Sequence, residues 1–137
     1  MSTMVAVAPN PIIPLVSRIL LGAIFLVSGI RKAMAYAGTV AYFAKLGFPL
    51  PEAMAAVAIV IEVGGSTLLI VGWRTRWVAW LLALFVLVAA FAAHRFWEFD
   101  AAQMNNQMNH FLKNFAIIGG MLYVATFGAG RYSIDKA

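Results

Sequence analysis

No cysteine occurs in this 137-residue chain, only 11% of its residues are charged, and just five are acidic. The first absence excludes disulfides, dithiol exchange, thiolate metal sites and c-type haem attachment within the chain. Any redox chemistry would therefore belong to a bound cofactor. The scarcity of charge argues against an ordinary soluble domain, in which about 25% of residues are charged. The two histidines, His94 and His110, are too few for a convincing metal centre, and neither a metal nor haem is expected. What the chain does have is apolar surface, with 64% hydrophobic residues. Its net charge of +5 comes from Lys and Arg scattered at the ends of apolar runs. Without a basic stripe or an exposed aromatic platform, these cations read as membrane topology signals, and no nucleic acid partner is expected.

Between Ala53 and Gly72 the only charged residue is Glu62. As a helix this stretch of about 20 residues would rise about 30 Å, the hydrocarbon thickness of a bilayer, with Glu62 near its middle. A carboxyl group at that depth must be protonated, paired inside a helix bundle or set against a wet cavity. The bland alternative is a structural hydrogen bond pinning two helices. Length and breaks place the spans at about 15–35, 53–72, 77–97 and 110–127. Pro9, Pro11 and Pro14 keep the N-terminal segment irregular, and the short link Trp73 to Arg76 suits only a tight antiparallel turn. The Asn- and Gln-rich segment Glu98 to Asn109 is expected to be a solvated loop. Ala33-Met34-Ala35 has the pattern of a signal-peptide cleavage site, but Arg31 and Lys32 directly before it argue that the first span is retained. The expected fold is all-α, a membrane-embedded antiparallel four-helix bundle forming one domain over 1–137, and the lipid bilayer is its first partner. The distribution of Lys and Arg favours both termini in the cytoplasm.

Helical spacing aligns Arg18, Gly22, Phe25, Gly29 and Lys32 on one face, Glu62, Gly65, Leu69 and Gly72 on another, and Ala83, Leu87, Ala90, His94 and Trp97 on a third. These stripes are expected to face inward. Lys32, His94, Lys113 and Asn114, with Trp97 beside them, then share one outer layer that could hold a ligand. Arg18 and Glu62 form a candidate buried ionisable network, in which Glu62 is expected to pair with Arg18 or Lys113. Against these readings, Arg18 could be a snorkelling anchor, His94 an interfacial hydrogen-bonding residue, and the tryptophans a membrane belt.

The run from Arg18 to Lys32 (RILLGAIFLVSGIRK), that from Tyr42 to Pro51 (YFAKLGFPLP), Glu62 followed by Gly64-Gly65, His94 to Trp97, and Phe111 to Asn114 followed by Gly119-Gly120 resemble the DoxX family of small four-helix membrane proteins. The resemblance spans about residues 15–135 and implies a helical bundle in the bacterial cytoplasmic membrane. Some relatives are associated with thiosulfate:quinone oxidoreduction or with membrane complexes that handle oxidative stress. On that basis the leading expectation is a subunit of a membrane oxidoreductase system. Lys32, His94, Trp97, Lys113 and Asn114 would bind a quinone or a small anion, with protein partner subunits or a second copy alongside. A non-enzymatic scaffold or assembly partner is the alternative, and a lone midplane acid would also suit a proton-coupled transporter.

Overall fold

The computed structural model describes residues 9–137, so most of the irregular segment expected up to Pro14 lies outside the described residues, and the first helix begins at Ile12 with Pro14 in its first turn. Five α-helices occur among the described residues: α1 (Ile12–Met34), α2 (Tyr36–Lys45), α3 (Pro51–Val71), α4 (Thr75–Ala93) and α5 (Ala101–Phe127). There is no strand among the described residues. Among the described residues, three helical stretches are long and apolar enough to cross a membrane: α1, α3, and α4 continued through a 3₁₀ turn at Phe96–Glu98.

Each boundary follows from local chemistry. Pro51 opens α3 at a position where its missing N–H costs nothing, and Glu52 sits in the first turn near the positive end of the helix dipole. Gly72 closes α3 in the left-handed region at φ 73°, a conformation open to glycine at little cost. Asp100 caps α5 by accepting a hydrogen bond from the Gln103 N–H at 3.1 Å. From that cap α5 runs 27 residues, a rise of about 40 Å, longer than the hydrocarbon thickness. Here the structure corrects the sequence reading. Residues 101–109 are the polar first turns of α5 rather than a loop, because the Asp100 cap starts a helix that Ala, Gln and Met readily continue. The connection after the first span also contains a helix, α2, tied back by the Thr39 hydroxyl to the Lys32 and Ala35 carbonyls at 3.1 and 3.0 Å.

Packing is closest for α1 on α3 and for α4 on α5. Gly22 and Gly29 bring α1 against α3: a Cβ on Gly29 would lie 2.7 Å from Val63 Cγ2 and 2.9 Å from Glu62 Cβ. The packed core gathers Phe25, Leu69, Leu82, Val86, Met121 and Val124 in the half of the bundle nearer the α3–α4 turn. Outward faces are apolar too, with Ile13, Leu20, Val60, Leu84 and Tyr123 exposed, as suits helices surrounded by lipid. The expected inward stripes on α1 and α3 are buried from Arg18 to Gly29 and from Glu62 to Gly72. On α4, Ala83 and Ala90 are buried, but Leu87 faces outward, as does Trp97 in the 3₁₀ turn that follows.

The end containing the α3–α4 turn is tied together by polar groups. Arg18, buried on α1, donates to the carbonyls of Leu69 and Ile70 at the end of α3 and to that of Tyr132 in the C-terminal tail. The tail continues the work, with Ile134 N–H on the Val71 carbonyl and Asp135 N–H on that of Gly72. The Asp135 carboxylate then caps α4, accepting from the Arg74 and Thr75 N–H groups at 2.9 and 2.8 Å and from the Thr75 hydroxyl at 2.6 Å. Partial burial pushes the Asp135 carboxyl up, but these hydrogen bonds and the Arg74 charge outweigh it and hold the group below the usual carboxylate value.

Two outcomes are expected. Gly29→Ala should cost about 1–3 kcal/mol by overpacking, whereas Gly64→Ala, which meets nothing within 4 Å, should be neutral or stabilise by about 0.5–1 kcal/mol. Thermal midpoints in one detergent will compare them. Asp135→Asn should cost about 1 kcal/mol at neutral pH, the usual worth of a helix cap. Because the folded-state value is depressed, that stabilisation is present above the unfolded-state value of about 3.9 and is lost as pH falls through the folded-state value. Melts of wild type and variant should therefore converge in strong acid.

Candidate functional site

Where the half of the bundle near the α3–α4 turn is solid, the half near α2 is hollow. A cavity of about 440 Å³ is lined by residues of all five helices, within the range of small-molecule sites. Phe25 and Ile117 line it, as do Tyr42 and Phe43 of α2 and Leu46 just beyond that helix. Along α4 it reaches the surface, since Leu81, Leu84 and Val88 both line it and are exposed.

The polar part of the lining is small and structured. Glu62 is 4% exposed, and its two oxygens lie 2.9 and 2.8 Å from Lys32 Nζ. Ser28 donates to the same carboxyl group at 3.0 Å and accepts from Lys32 at 2.7 Å. The partner of Glu62 is thus Lys32, where the sequence reading expected Arg18 or Lys113. The reason is directional: a side chain on a helix leans toward the N-terminus, so Lys32 reaches back one turn to Ser28 and down to the depth of Glu62. Arg18 is held at the opposite end by the α3 carbonyls. Arg18 and Glu62 therefore belong to two separate clusters, not to one network.

His94 and Asn114 also line the cavity. His94 Nδ1 lies 2.8 Å from Gln107 Oε1, and its ring stacks on His110 with centroids 5.0 Å apart. The structure therefore brings Lys32, His94 and Asn114 to one cavity. It does not bring the other two candidates there. Lys113, next to Asn114 on α5, turns about 100° away and is exposed. Trp97 packs among Phe91, Phe96 and Phe111 outside the cavity. Ser28 and Gln107 were missed from sequence. Ser28 had a signal, lying four residues before Lys32 on the same face, while Gln107 was hidden by the loop assignment. No cluster of three or more His, Asp or Glu suited to a metal occurs among the described residues. The arrangement can offer a ligand an apolar slot, an ion pair and an imidazole held by an amide.

These features define a small helical integral membrane protein with a ligand-sized cavity among its helices. The chain belongs to the DoxX family, whose model matches residues 13–95. It is 36% identical over 129 residues to the inner membrane protein YphA of Escherichia coli K12, covering 94% of this chain and 92% of that protein. It is also 38% identical over 122 residues to the inner membrane protein YqjF of the same organism, covering 89% and 88% of the two chains. A shorter match, 39% over 75 residues, covers 55% of this chain and 54% of CatD of Bacillus subtilis, whose name gives it as a candidate oxidoreductase. No solved structure matches.

Breaking the ion pair should be costly while replacing it should not. Lys32→Met or Glu62→Leu leaves one buried charge without its partner, at about 3 kcal/mol, reduced for Lys32 because 26% of its side chain is exposed. The double variant Lys32→Met/Glu62→Leu should recover most of that loss. Thermal midpoints of the four proteins in one detergent provide the check, and additive losses would contradict the pairing.

Proposed function

We propose that this protein spans the bacterial cytoplasmic membrane four times, with the fourth span in the part of α5 that follows His110 and both termini in the cytoplasm. Within that frame it acts as the quinone-binding subunit of a membrane oxidoreductase system. The observation that carries this reading is the cavity itself, apolar over most of its wall with Ser28, Lys32, Tyr42, Glu62, His94 and Asn114 as its polar features. A quinone needs an apolar slot for its ring and a few donors near its carbonyl oxygens. His94 or Asn114 would supply a donor on one wall, and Lys32 on another by giving up one of the three hydrogen bonds it makes to Ser28 and Glu62. The surface opening along α4 offers the isoprenoid tail a way into the lipid. The two E. coli relatives are inner membrane proteins, and the name of CatD is consistent with oxidoreduction.

A sulfur oxyanion fits this cavity less well. Lys32 is already matched by Glu62, Lys113 lies outside, and the rest of the wall is mostly apolar, so an anion would lose its hydration for little return. The two ligands can be separated by titrating the purified protein with a short-chain quinone and with thiosulfate at two ionic strengths. Quinone affinity should change by less than about twofold with salt, and thiosulfate should not saturate. Lys32→Met and His94→Leu should each weaken the quinone by about tenfold, the worth of a lost hydrogen bond in a dry site. Ala92→Phe, which fills the cavity, should abolish binding. Absence of quinone binding by a folded wild-type protein would remove this reading and leave the scaffold in its place.

A further inference from the structure

We propose that the end of the bundle formed by the α3–α4 turn and the C-terminal tail binds the phosphate of an anionic phospholipid headgroup. This inference is independent of the cavity and of the quinone reading. Four cationic side chains, Arg74, Arg76, Arg131 and Lys136, are exposed there. The tail brings the last two into the group by pairing Ile134 and Asp135 with Val71 and Gly72, beside Arg74. The acidic side chain among them, Asp135, has its oxygens engaged by the backbone and hydroxyl of the α4 N-terminus. None of the four cations forms an ion pair among the described residues.

Their setting is suited to headgroup depth. Trp73, Trp77 and Trp80 are exposed around the same edge, with Trp77 at 74%, and tryptophans on a membrane protein settle at the headgroup level. The Arg74 guanidinium lies 5.4 Å from the Trp73 ring centroid, and Arg76 is tethered at 2.9 Å to the Thr126 carbonyl. Both guanidinium groups are therefore partly ordered before a ligand arrives, and both retain N–H groups suited to bidentate phosphate contact. Arg74 also occupies the left-handed region at φ 52°, where glycine would be less strained. A charged residue held there at a conformational cost is a reason to look for a role for its side chain.

The test uses the full chain in nanodiscs of phosphatidylcholine, with or without phosphatidylglycerol, and native mass spectrometry of lipid retained after extraction. Wild type should retain phosphatidylglycerol in preference to phosphatidylcholine. Arg74→Gln/Arg131→Gln/Lys136→Gln should lose that preference, by about fivefold for each cation removed. A control, Arg31→Gln/Lys45→Gln, removes two exposed cations at the other end and should retain it. Arg74→Gly gives a contrast in sign, since it should be no less stable in lipid-free detergent yet retain less phosphatidylglycerol. Equal retention by wild type and the triple variant, equal loss in the control, or stabilisation of wild type by inorganic phosphate as large as by the lipid would each overturn the proposal.

Discussion

A carboxyl group buried between apolar helices cannot stand alone, and the α2 end of this structure is organised around the partner that Glu62 requires. Charge in a medium of low dielectric constant must be matched at contact distance or neutralised. Lys32 and Ser28 supply the match from α1, and they can reach Glu62 only because Gly29 lets α1 and α3 approach closely at that level. The same requirement leaves room for the cavity. A polar cluster on one wall is not covered by apolar packing as the opposite end is, and the space beside it is closed by α2, which the Thr39 hydroxyl ties to the end of α1.

At the opposite end the constraint is the backbone. The last carbonyls of a helix have no intrahelical partner, and those buried against a neighbouring segment are out of reach of water. Here each has a donor: Leu68 receives the N–H groups of Gly72 and Trp73, Leu69 and Ile70 receive Arg18, and Val71 receives Ile134. The first N–H groups of α4 find theirs in Asp135. One arginine and a ten-residue tail thus resolve both sides of a tight turn. They also explain how a guanidinium can be buried in so apolar a protein, since the negative end of the α3 dipole is its counterpart.

Much of this was legible in the sequence where polarity marked a face. Arg18, Glu62 and the glycines at Gly22 and Gly29 phased their helices, and the inward stripes read from them lie buried. On α4 the rule lost its purchase. That helix is apolar on every side, so helical spacing cannot tell inward from lipid-facing residues, and Leu87 was placed wrongly. Partner choice was also beyond spacing. Lys32 lies a full turn beyond the level of Glu62 along α1, and only the length and lean of its side chain close the gap. The Asn- and Gln-rich segment misled for a different reason: its composition is that of a loop, while its conformation is set by the Asp100 cap and the helix it begins.

The bond from Arg18 to the Tyr132 carbonyl joins residues 114 positions apart. During synthesis, a chain emerging N-terminus first delivers Arg18 to the membrane long before its tail exists. The α3 carbonyls can receive the guanidinium once that helix has inserted, but the turn beside it is left open until residues 132–135 arrive. Insertion and assembly therefore end at different moments. Until Asp135 is in place, the first N–H groups of α4 lack the carboxylate that caps them in the folded protein.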